Sequence, residues 1–384
     1  MGPLNGITIV EMAGLGATPF CGMMLADLGA EVVRVERPDD QSSIMFAPLC
    51  RTRKSLACDL KSPEAVAAVL SVIDKADGLI EGFRPGVMER LGLGPDVCLK
   101  RNPTLVYGRM TGWGQQGPLS QAAGHDLNYL ALTGALHLIG EKGGKPVPPL
   151  NIVADYGGGG MLLAYGMLAA ILSARTTGKG QIVDAAMLDG VNAMMSLFHH
   201  WNHAGLQPDE TGAGFLAGAA HYYSTYETRD GRYVSIGSIE PQFYELLIEQ
   251  AGLDRASFEP YGFKWDLRDS THWARLKTAM SKVFLSKTLD EWCQIMEGSD
   301  VCFAPVLTMA EAREHPHNKA RKAFIEVEGH EQAAPAPRFS HTKNPTPSPA
   351  VKAGNNSREI LSASGLSEEK IDTLIKSGAV TQSG

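Results

Sequence analysis

The chain has 384 residues, of which 44% are hydrophobic and 20% are charged, as in an ordinary globular protein. This length exceeds that of a usual single domain and predicts two domains. The net charge of −7 argues against nucleic acid as the main partner, and the six scattered cysteines, without a Cys-x-x-Cys pair, predict neither a disulfide scaffold nor a metal site.

The first third of the chain alternates strand and helix patterns. Short apolar runs rich in β-branched residues predict strands, and Ser62 followed by a proline is typical of a helix start. Repeated β-α-β order favours an α/β fold with a parallel sheet and helices on both faces. The predicted strands are Ile7–Met12, Glu31–Val35, Gly78–Glu81 and Leu105–Arg109, and the predicted helices cover Cys21–Leu28 and Ala65–Val72.

The second half of the chain has a different pattern. Residues 191–221 lack a clean period and are predicted to be a linker. Two strands, 222–228 and 232–236, flank an Asp230-Gly231 hairpin turn, and helical patterns follow them. These elements predict a smaller α+β domain. Helices are expected near 241–251, 271–285 and 288–297, a mobile connection over 331–356, and a last helix capped by Ser367.

The sequence shows no targeting or membrane-spanning pattern. The first residues lack the basic and apolar regions of a signal peptide, and the last residues do not form a peroxisomal tripeptide. The longest apolar run, Met161 to Leu172, is interrupted by Gly166 and is too short to span a bilayer. We therefore expect a cytoplasmic protein that does not act in a membrane.

Two short patterns are weak indications of a ligand. Gly14 and Gly16 follow the first strand, as in a dinucleotide-binding turn, but Pro19 occupies the third glycine position. A tight strand–helix turn explains the pair better. His199 and His203 are four residues apart, yet the sequence offers no third ligand, so we predict no metal.

Basic residues follow several of the predicted strands. Arg37 follows the second strand and Arg84 follows Gly78–Glu81, while Arg51, Arg53, Lys54 and Lys61 surround a third strand-like segment. Open α/β sheets bind ligands at the carboxyl ends of their strands, and arginine suits phosphate oxygens. A phosphate-bearing ligand and ordinary surface charge both remain open from the spacing alone.

The most informative residues are His125 and Asp155. Asp155 precedes glycines 157–160, which we interpret as a strand-to-helix turn where a substrate carbonyl meets bare backbone. Unpaired N–H groups at such a helix start would stabilise a developing oxyanion. Each residue also has a plain structural explanation, since Asp155 suits a helix N-cap and His125 suits an ordinary buried or surface histidine.

Four motifs resemble those of the family III CoA-transferases. They are Gly-His-Asp-Leu-Asn-Tyr (124–129), Thr-Gly-Trp-Gly-Gln-Gln-Gly-Pro (111–118), Asp-Tyr-Gly-Gly-Gly (155–159) and Gly-Lys-Gly-Gln-Ile-Val-Asp-Ala-Ala-Met-Leu-Asp-Gly (178–190). The resemblance runs from about residue 3 to 345, and within the family it is strongest to the racemases.

This resemblance implies a domain organisation. A large Rossmann-like, CoA-binding domain would comprise 1–190 and 325–384, and a small α+β domain would comprise 222–310, with linkers at 191–221 and 311–324. Two ring-shaped chains would interlock into a homodimer, with the active site between the large domain of one chain and the small domain of the other. An acyl-CoA thioester would be the substrate, and no separate cofactor is expected.

The resemblance also implies roles for individual residues. His125 and Asp155 match the two bases of the racemases, and Glu240 matches a glutamate that supports the site. The positions matching CoA-binding residues are Arg37, Cys58, Asp59, Leu60, Lys61, Gly82, Phe83, Arg84 and Arg90. Those matching the acyl pocket and its surroundings are Gly124, Asp126, Leu127, Asn128, Tyr129 and Asn151.

Two reactions compete within this resemblance. Racemisation (epimerisation) of a 2-methylacyl-CoA through an enolate needs proton-transferring groups on opposite faces of the α-carbon, which His125 and Asp155 would supply. A CoA-transferase needs only a carboxylate nucleophile, which would be Asp155. The presence of His125 favours the racemase. A third interpretation is an acyl-CoA-binding protein without activity.

Overall fold

The computed structural model describes residues 1–264, 267 and 270–383 of the chain. Residues 265, 266, 268 and 269 of the predicted small domain, and the final residue of the predicted large domain, lie outside the described residues. The chain divides into two compact units. Unit 1 comprises Met1–Thr133, Leu150–Met194 and Ala320–Gly384, and unit 2 comprises Gly134–Pro149 and Met195–Lys319.

The strands belong to three separate sheets. One sheet has seven strands, one has three and one has two within the described part of the chain. In chain order the strands are Thr8–Met12 (β1), Glu31–Glu36 (β2), Arg53–Cys58 (β3), Gly78–Glu81 (β4), Val106–Thr111 (β5), Gln181–Ala186 (β6), Tyr223–Glu227 (β7), Tyr233–Gly237 (β8), Phe303–Pro305 (β9), Phe324–Val327 (β10), His330–Ala333 (β11) and Val380–Thr381 (β12).

The seven-stranded sheet lies in unit 1 and has the order β12-β3-β2-β1-β4-β5-β6. Strands β1 to β6 pair in parallel, and the short β12 runs antiparallel to β3. The predicted parallel sheet is therefore confirmed, and the four predicted strands agree with β1, β2, β4 and β5 to within two residues at each end. The two-stranded hairpin β10-β11 is also part of this unit.

Helices cover both faces of this sheet because successive residues of each buried strand point in opposite directions. Val10 and Val33 pack with helices Pro63–Ile73, Ser357–Ala363 and Glu368–Lys376, whereas Ile9 and Val32 pack with Ala17–Asp27 and Leu162–Thr177. Each such fully buried side chain contributes about 2 kcal/mol. The remaining helices of unit 1 are Ser42–Met45, Ala47–Cys50, Val87–Arg90, Pro95–Arg101, Asp126–Leu132, the π-helix Ile152–Met161 and Met187–Met194.

Unit 2 has its own core around the antiparallel sheet β7-β8-β9. Strands β7 and β8 form the hairpin predicted around Asp230 and Gly231. The helices of this unit include those predicted near 241–251, 271–285 and 288–297. Their bounds are Ala135–Leu138, Ser196–His203, Pro241–Ala251, Arg255–Phe258, Trp273–Phe284, Leu289–Met296, Met309–Glu314 and Pro316–Ala320, with single 3-10 turns at Phe215–Ala217 and Glu259–Tyr261.

The segments expected to be linkers contain regular structure. Helices Met187–Met194 and Ser196–His203 occupy much of 191–221, and two short helices occupy 309–320. Periodicity missed the helix Ser196–His203 because it is only eight residues long and none of its residues is buried, so its few apolar side chains give too short a pattern to recognise. The sequence also gave no sign that Gly134–Pro149 leaves unit 1 and joins unit 2.

One helical run is longer than the sequence predicted. The π-helix Ile152–Met161 continues directly into helix Leu162–Thr177, and together they form 26 residues. An 18-residue window of this run has a mean hydropathy of 1.5, so the run is long and apolar enough to cross a membrane. Half of that window is buried inside the fold. Leu163 and Met167 pack on the sheet, which is the burial expected of a helix that covers a parallel sheet.

Candidate active site

The carboxyl ends of β1 and β4 form a topological switch point in unit 1. From β1 the chain builds β2 and β3 on one side, whereas β4, β5 and β6 lie on the other. Ligands of open α/β sheets bind at this point. The two loops are in close contact here, because a Cβ on Gly82 would lie 2.4 Å from Oγ1 of Thr18, so only glycine fits.

Asp155 lies beside this switch point. A Cβ on Gly16, which follows β1, would lie 3.1 Å from Asp155 Oδ2. The Asp155 carboxyl is partly buried and accepts a hydrogen bond of 3.2 Å from Nδ2 of Asn151. Desolvation raises its pKa above the ordinary value, against the effect of Asn151; the negative charge of Asp126 also raises it, and His125 lowers it. The carboxyl is therefore suited to hold a proton.

His125 is exposed and forms the N-cap of helix Asp126–Leu132. Its backbone is extended, and its N–H donates to Oδ1 of Asn128 at 3.0 Å. The imidazole is close enough to Asp155 to lower the pKa of that carboxyl. The structure thus brings the two predicted bases together. The side chain of Asn128 fixes the backbone of His125.

The side chain of Asp126 bonds to the backbone of the segment that carries Asp155. Its side chain is buried, and Oδ2 accepts the N–H groups of Ala154 at 2.7 Å and of Asp155 at 2.8 Å. The resemblance placed Asp126 among the residues around the acyl group, and that assignment stays a prediction. Through these two hydrogen bonds the Asp126 carboxylate caps the first turn of the π-helix Ile152–Met161.

Tyr129 packs in a slot made by two glycines. A Cβ on Gly112 or Gly124 would lie within 2.0 or 2.7 Å of the Tyr129 ring, and the ring meets Trp113 edge-on at 4.7 Å between centroids. The Tyr129 hydroxyl donates to the carbonyl of Gly124. Burial raises the pKa of this hydroxyl, Asp155 raises it further, and Arg84 lowers it. Tyr129 is therefore near enough to both Asp155 and Arg84 to feel their charges.

The four glycines 157–160 do not start a helix as predicted. The π-helix begins at Ile152, so the glycines lie in its second half. In a π-helix each N–H bonds the carbonyl five residues back, so their N–H groups are already used. The glycines serve packing, because a Cβ on Gly158 would meet the backbone of Val191 at 2.9 Å, and one on Gly190 would overlap the carbonyl of Gly158.

The predicted CoA-binding residues follow the carboxyl ends of neighbouring strands. Arg37 follows β2, 59–61 follow β3, and 82–84 follow β4, with Arg90 ending the next short helix. Arg37, Arg84, Arg90, Asp59 and Lys61 are exposed, and Leu60 and Phe83 are partly exposed. Cys58 is the exception, because its thiol packs in the core and burial raises its pKa to about 12. The residue as a whole is only 1% exposed, so neither its thiol nor its main chain is open to a ligand here.

A buried ion network behind the 82–84 loop was not predicted. Oε2 of Glu81 accepts the N–H of Phe83 at 2.7 Å, and Oε1 accepts Nε of Arg109 at 3.0 Å. Arg109 also donates to Glu89 at 2.8 Å. Burial raises the pKa of Glu81 to about 7, against the effects of Phe83 and Arg109. The sequence feature that could have indicated this network was Glu81, a charged residue at the end of the otherwise apolar strand β4.

Glu240 belongs to unit 2, where it forms the N-cap of helix Pro241–Ala251. Its charge adds to the burial that raises the pKa of Cys302 in the same unit.

Leu127 is exposed at the start of helix Asp126–Leu132 in unit 1, as is Asn151 before the π-helix. Across the residues that the structure describes, no group of three or more His, Cys, Asp or Glu side chains is arranged to hold a metal ion.

Comparison with known proteins decides the family. The model of CoA-transferase family III matches residues 4–356. The chain belongs to CoA-transferase family III. The resemblance seen in the four motifs is therefore confirmed.

Members of family III with different activities are similar to this chain. The human α-methylacyl-CoA racemase is 41% identical over 393 residues, which is 99% of this chain and 99% of that protein. The human succinyl-CoA:glutarate CoA-transferase is 28% identical, over 99% of this chain and 90% of that protein. A crystal structure of the Mycobacterium tuberculosis protein Rv3272 superposes with a TM-score of 0.79 at 28% identity, over 94% of this chain and 99% of that one.

Proposed function

We propose that the protein racemises 2-methylacyl-CoA thioesters by transfer of a proton to and from the α-carbon. The observation that carries the proposal is the pairing of His125 with an Asp155 carboxyl whose pKa is raised by burial, at the switch point of the sheet. The identity of 41% to α-methylacyl-CoA racemases of mouse and man supports it. Two proton-transferring groups with separated environments are what a two-base reaction requires.

The reaction needs no net oxidation and no second substrate. His125 removes the α-proton of one enantiomer, the electron pair moves into the thioester carbonyl to give an enolate, and protonated Asp155 returns a proton to the opposite face. For the other enantiomer the roles reverse. Each unit of pKa difference between the α-carbon and the base costs about 1.4 kcal/mol, so the enolate oxygen must be stabilised.

The donors for the enolate oxygen differ from those the sequence suggested. The glycines 157–160 use their N–H groups within the π-helix, and Asp126 accepts the N–H of Asp155. Helix Ala17–Asp27 starts beside Asp155 at Gly16, and no side chain caps it. We assign the enolate oxygen to this helix start, where the partly exposed Gly16 lies beside Asp155 with its backbone N–H and the helix dipole favours negative charge.

The thioester is proposed to bind along the carboxyl edge of the sheet. Arg37, Lys61, Arg84 and Arg90 are exposed there, or just beyond it, and supply positive charge for the CoA phosphates. CoA is part of the substrate, and no further cofactor is needed.

A second family reaction is CoA transfer. In that reaction an ionised Asp155 attacks the thioester carbonyl, CoA thiolate leaves, and a mixed anhydride remains on the enzyme. The observation in its favour is the likeness, at 28% identity, to a succinyl-CoA:glutarate CoA-transferase. Against it stands the presence of His125, because CoA transfer needs no base at that position.

The two reactions are distinguished by isotope exchange. One enantiomer of a 2-methylacyl-CoA is incubated with the protein in deuterated water, with and without an added free carboxylic acid. We expect α-deuterium and loss of optical purity in both samples. CoA transfer to the added acid without deuterium incorporation would establish the transferase instead. If neither deuterium exchange nor CoA transfer occurs, the protein is an acyl-CoA-binding protein without activity.

We also propose a cytoplasmic, interlocked homodimer in which Glu240 of one chain supports His125 and Asp155 of the other. Coexpression of Asp155→Asn and Glu240→Gln chains tests it. If each site draws on both chains, the mixed dimers contain one intact site, and activity recovers to about a quarter of wild type. If one chain supplies the whole site, the mixture stays as inactive as the two variants alone.

A further inference from the structure

Asp126 connects the two predicted bases through the backbone. It follows His125 directly, and it is the first residue of the helix that His125 caps. Its Oδ2 accepts the N–H of Ala154 and the N–H of Asp155, 28 and 29 residues later in the chain. One buried side chain therefore holds the start of the helix that carries His125 against the start of the helix that carries Asp155.

The π-helix Ile152–Met161 depends on this contact. The first N–H groups of any helix have no partner within it, and in a π-helix this applies to the first five. No side chain of the N-cap residue Asn151 satisfies them. Asp126 satisfies two, including that of Asp155 itself. Without it, the turn that orients the Asp155 carboxyl has no anchor.

The choice of a carboxylate is also informative. An asparagine or serine oxygen would accept the same N–H groups, as in ordinary N-caps. A buried carboxylate costs more to desolvate, and the hydrogen bonds described for Asp126 come only from these two neutral donors. The charged groups that act on the Asp155 carboxyl are Asp126 and His125, and Arg84 acts on the nearby Tyr129. Asp126 is the negative group among these three, and its charge acts on Asp155 from close by.

We propose that Asp126 is a positioning residue that fixes the distance between His125 and Asp155 and acts on the Asp155 carboxyl through its negative charge. This inference rests on the proposed function. The hydrogen bonds account for the first role and the negative charge for the second, since that charge raises the pKa of Asp155. The two roles are separable by substitution.

The test compares Asp126→Asn, Asp126→Ala and a matched control, Asp77. Oδ2 of Asp77 also accepts a backbone N–H, that of Thr8 at 2.9 Å, in the same unit but at the amino edge of the sheet. Asp77→Asn and Asp77→Ala thus remove the same kind of contact away from the bases. Wild-type and variant proteins are assayed by deuterium exchange, with kcat and KM in both directions and thermal unfolding.

Asp126→Ala should lower kcat by about 100-fold with little change in KM, since a shift of about 1 Å between reacting groups has that effect. Asp77→Ala should lower Tm without changing kcat. Asp126→Asn should keep most of kcat and move the limb of the pH profile that reports Asp155 to lower pH, in both reaction directions. An Asp126→Ala loss in kcat no larger than that of Asp77→Ala, or an unmoved limb in Asp126→Asn, would overturn the proposal.

A readout without turnover separates this proposal from the proposed reaction. The Asp155 carboxyl is titrated by carbon NMR of the side chain in wild type and in Asp126→Asn. A lower pKa in the variant supports the charge role of Asp126 even if deuterium exchange fails and the protein proves to be a transferase. An identical titration overturns it even if racemisation is confirmed.

Discussion

Two carboxyl groups of unit 1, those of Glu11 and Asp155, differ in the charged groups that surround them. Glu11 is fully buried in β1, with Arg34 at 2.6 Å and Arg53 at 2.9 Å. Asp155 is partly buried and has a neutral amide, a histidine and another carboxylate as its described neighbours. The first group is paired with two cations, whereas burial raises the pKa of the second.

Because of this difference we assign Glu11 to the stability of unit 1 and Asp155 to its chemistry. A carboxylate paired on both oxygens has no freedom to accept or donate a proton, and its removal leaves buried cations behind. A carboxyl without a cation, next to an exposed imidazole, can exchange protons with a ligand. We therefore expect substitutions at the two positions to affect different properties of the protein.

Asp155→Asn should produce the largest change, a loss of racemase kcat of about 1,000-fold or more, because a positioned acid or base contributes about 10²–10⁴-fold. Folding should be nearly unaffected, since asparagine has the same shape. Deuterium exchange and thermal unfolding measure the two effects.

Asp184→Asn is the matched control for this prediction. Desolvation also raises the pKa of Asp184, but Asp189 and Arg109 are the charged groups described around it, and no histidine is among them. The control should retain activity. Equal losses of activity in Asp155→Asn and Asp184→Asn would show that a raised carboxyl pKa is enough to explain the loss and that the neighbouring histidine is not needed.

Glu11→Gln should act on stability instead. Removal of one partner of a buried ion cluster costs about 3–5 kcal/mol, because Arg34 and Arg53 keep their charges without a counterion. Urea denaturation should show this loss, while the kcat of the folded fraction stays near wild type. Glu31→Gln, which breaks a surface pair with Lys54, should cost less than about 1 kcal/mol. A small effect at Glu11 would contradict the assignment of this network to stability.

The sequence predicted the features that depend on local pattern. Strands β1, β2, β4 and β5, the hairpin of unit 2 and the last helix after Ser367 were recognisable, because apolar periodicity and turn residues lie within a few positions of each other. His125 and Asp155 were found because they belong to long, specific motifs, which the family match supports. The helix Ser196–His203 was missed because it is only eight residues long and none of its residues is buried.

Contacts between distant segments were beyond the sequence. The role of Asp126 depends on N–H groups 28 residues away, and that of Arg109 on glutamates in two other elements. The glycines 157–160 were assigned to ligand approach, although the neighbour that requires them is the helix Met187–Met194. A glycine run shows that something lies close to the backbone, but only the fold shows what it is.

His221 in unit 2 limits the comparison between Glu11 and Asp155. Like Asp155, it has no ion-pair partner described, yet it is completely buried. Nε2 lies 2.8 Å from the Tyr244 hydroxyl, which donates to the carbonyl of Phe258, so Nε2 carries the proton. Nδ1 is buried without a described partner. An unpaired titratable group that no ligand can reach is therefore structural, and access separates it from Asp155.

The pH dependence of stability tests this assignment and has the smallest expected effect. Burial, with a contribution from Arg275, lowers the pKa of His221 to about 3 from an ordinary value of 6.5. The unfolded chain then binds the extra proton between these values, so the contribution of His221 is complete above pH 6.5 and is lost as the pH falls. The loss is about 1.4 kcal/mol per pH unit, or about 2 kcal/mol between pH 6.5 and 5.

His221→Gln keeps a donor for Tyr244 and removes the titration, so its free energy of unfolding should fall less steeply with acid than that of wild type. His203→Gln, at an exposed histidine of the same unit, should keep the wild-type slope. Parallel acid dependence in wild type and His221→Gln would mean that the imidazole takes up its proton in the folded state. Burial would then not be what separates His221 from Asp155, and the distinction would have to rest on the neighbouring charges alone.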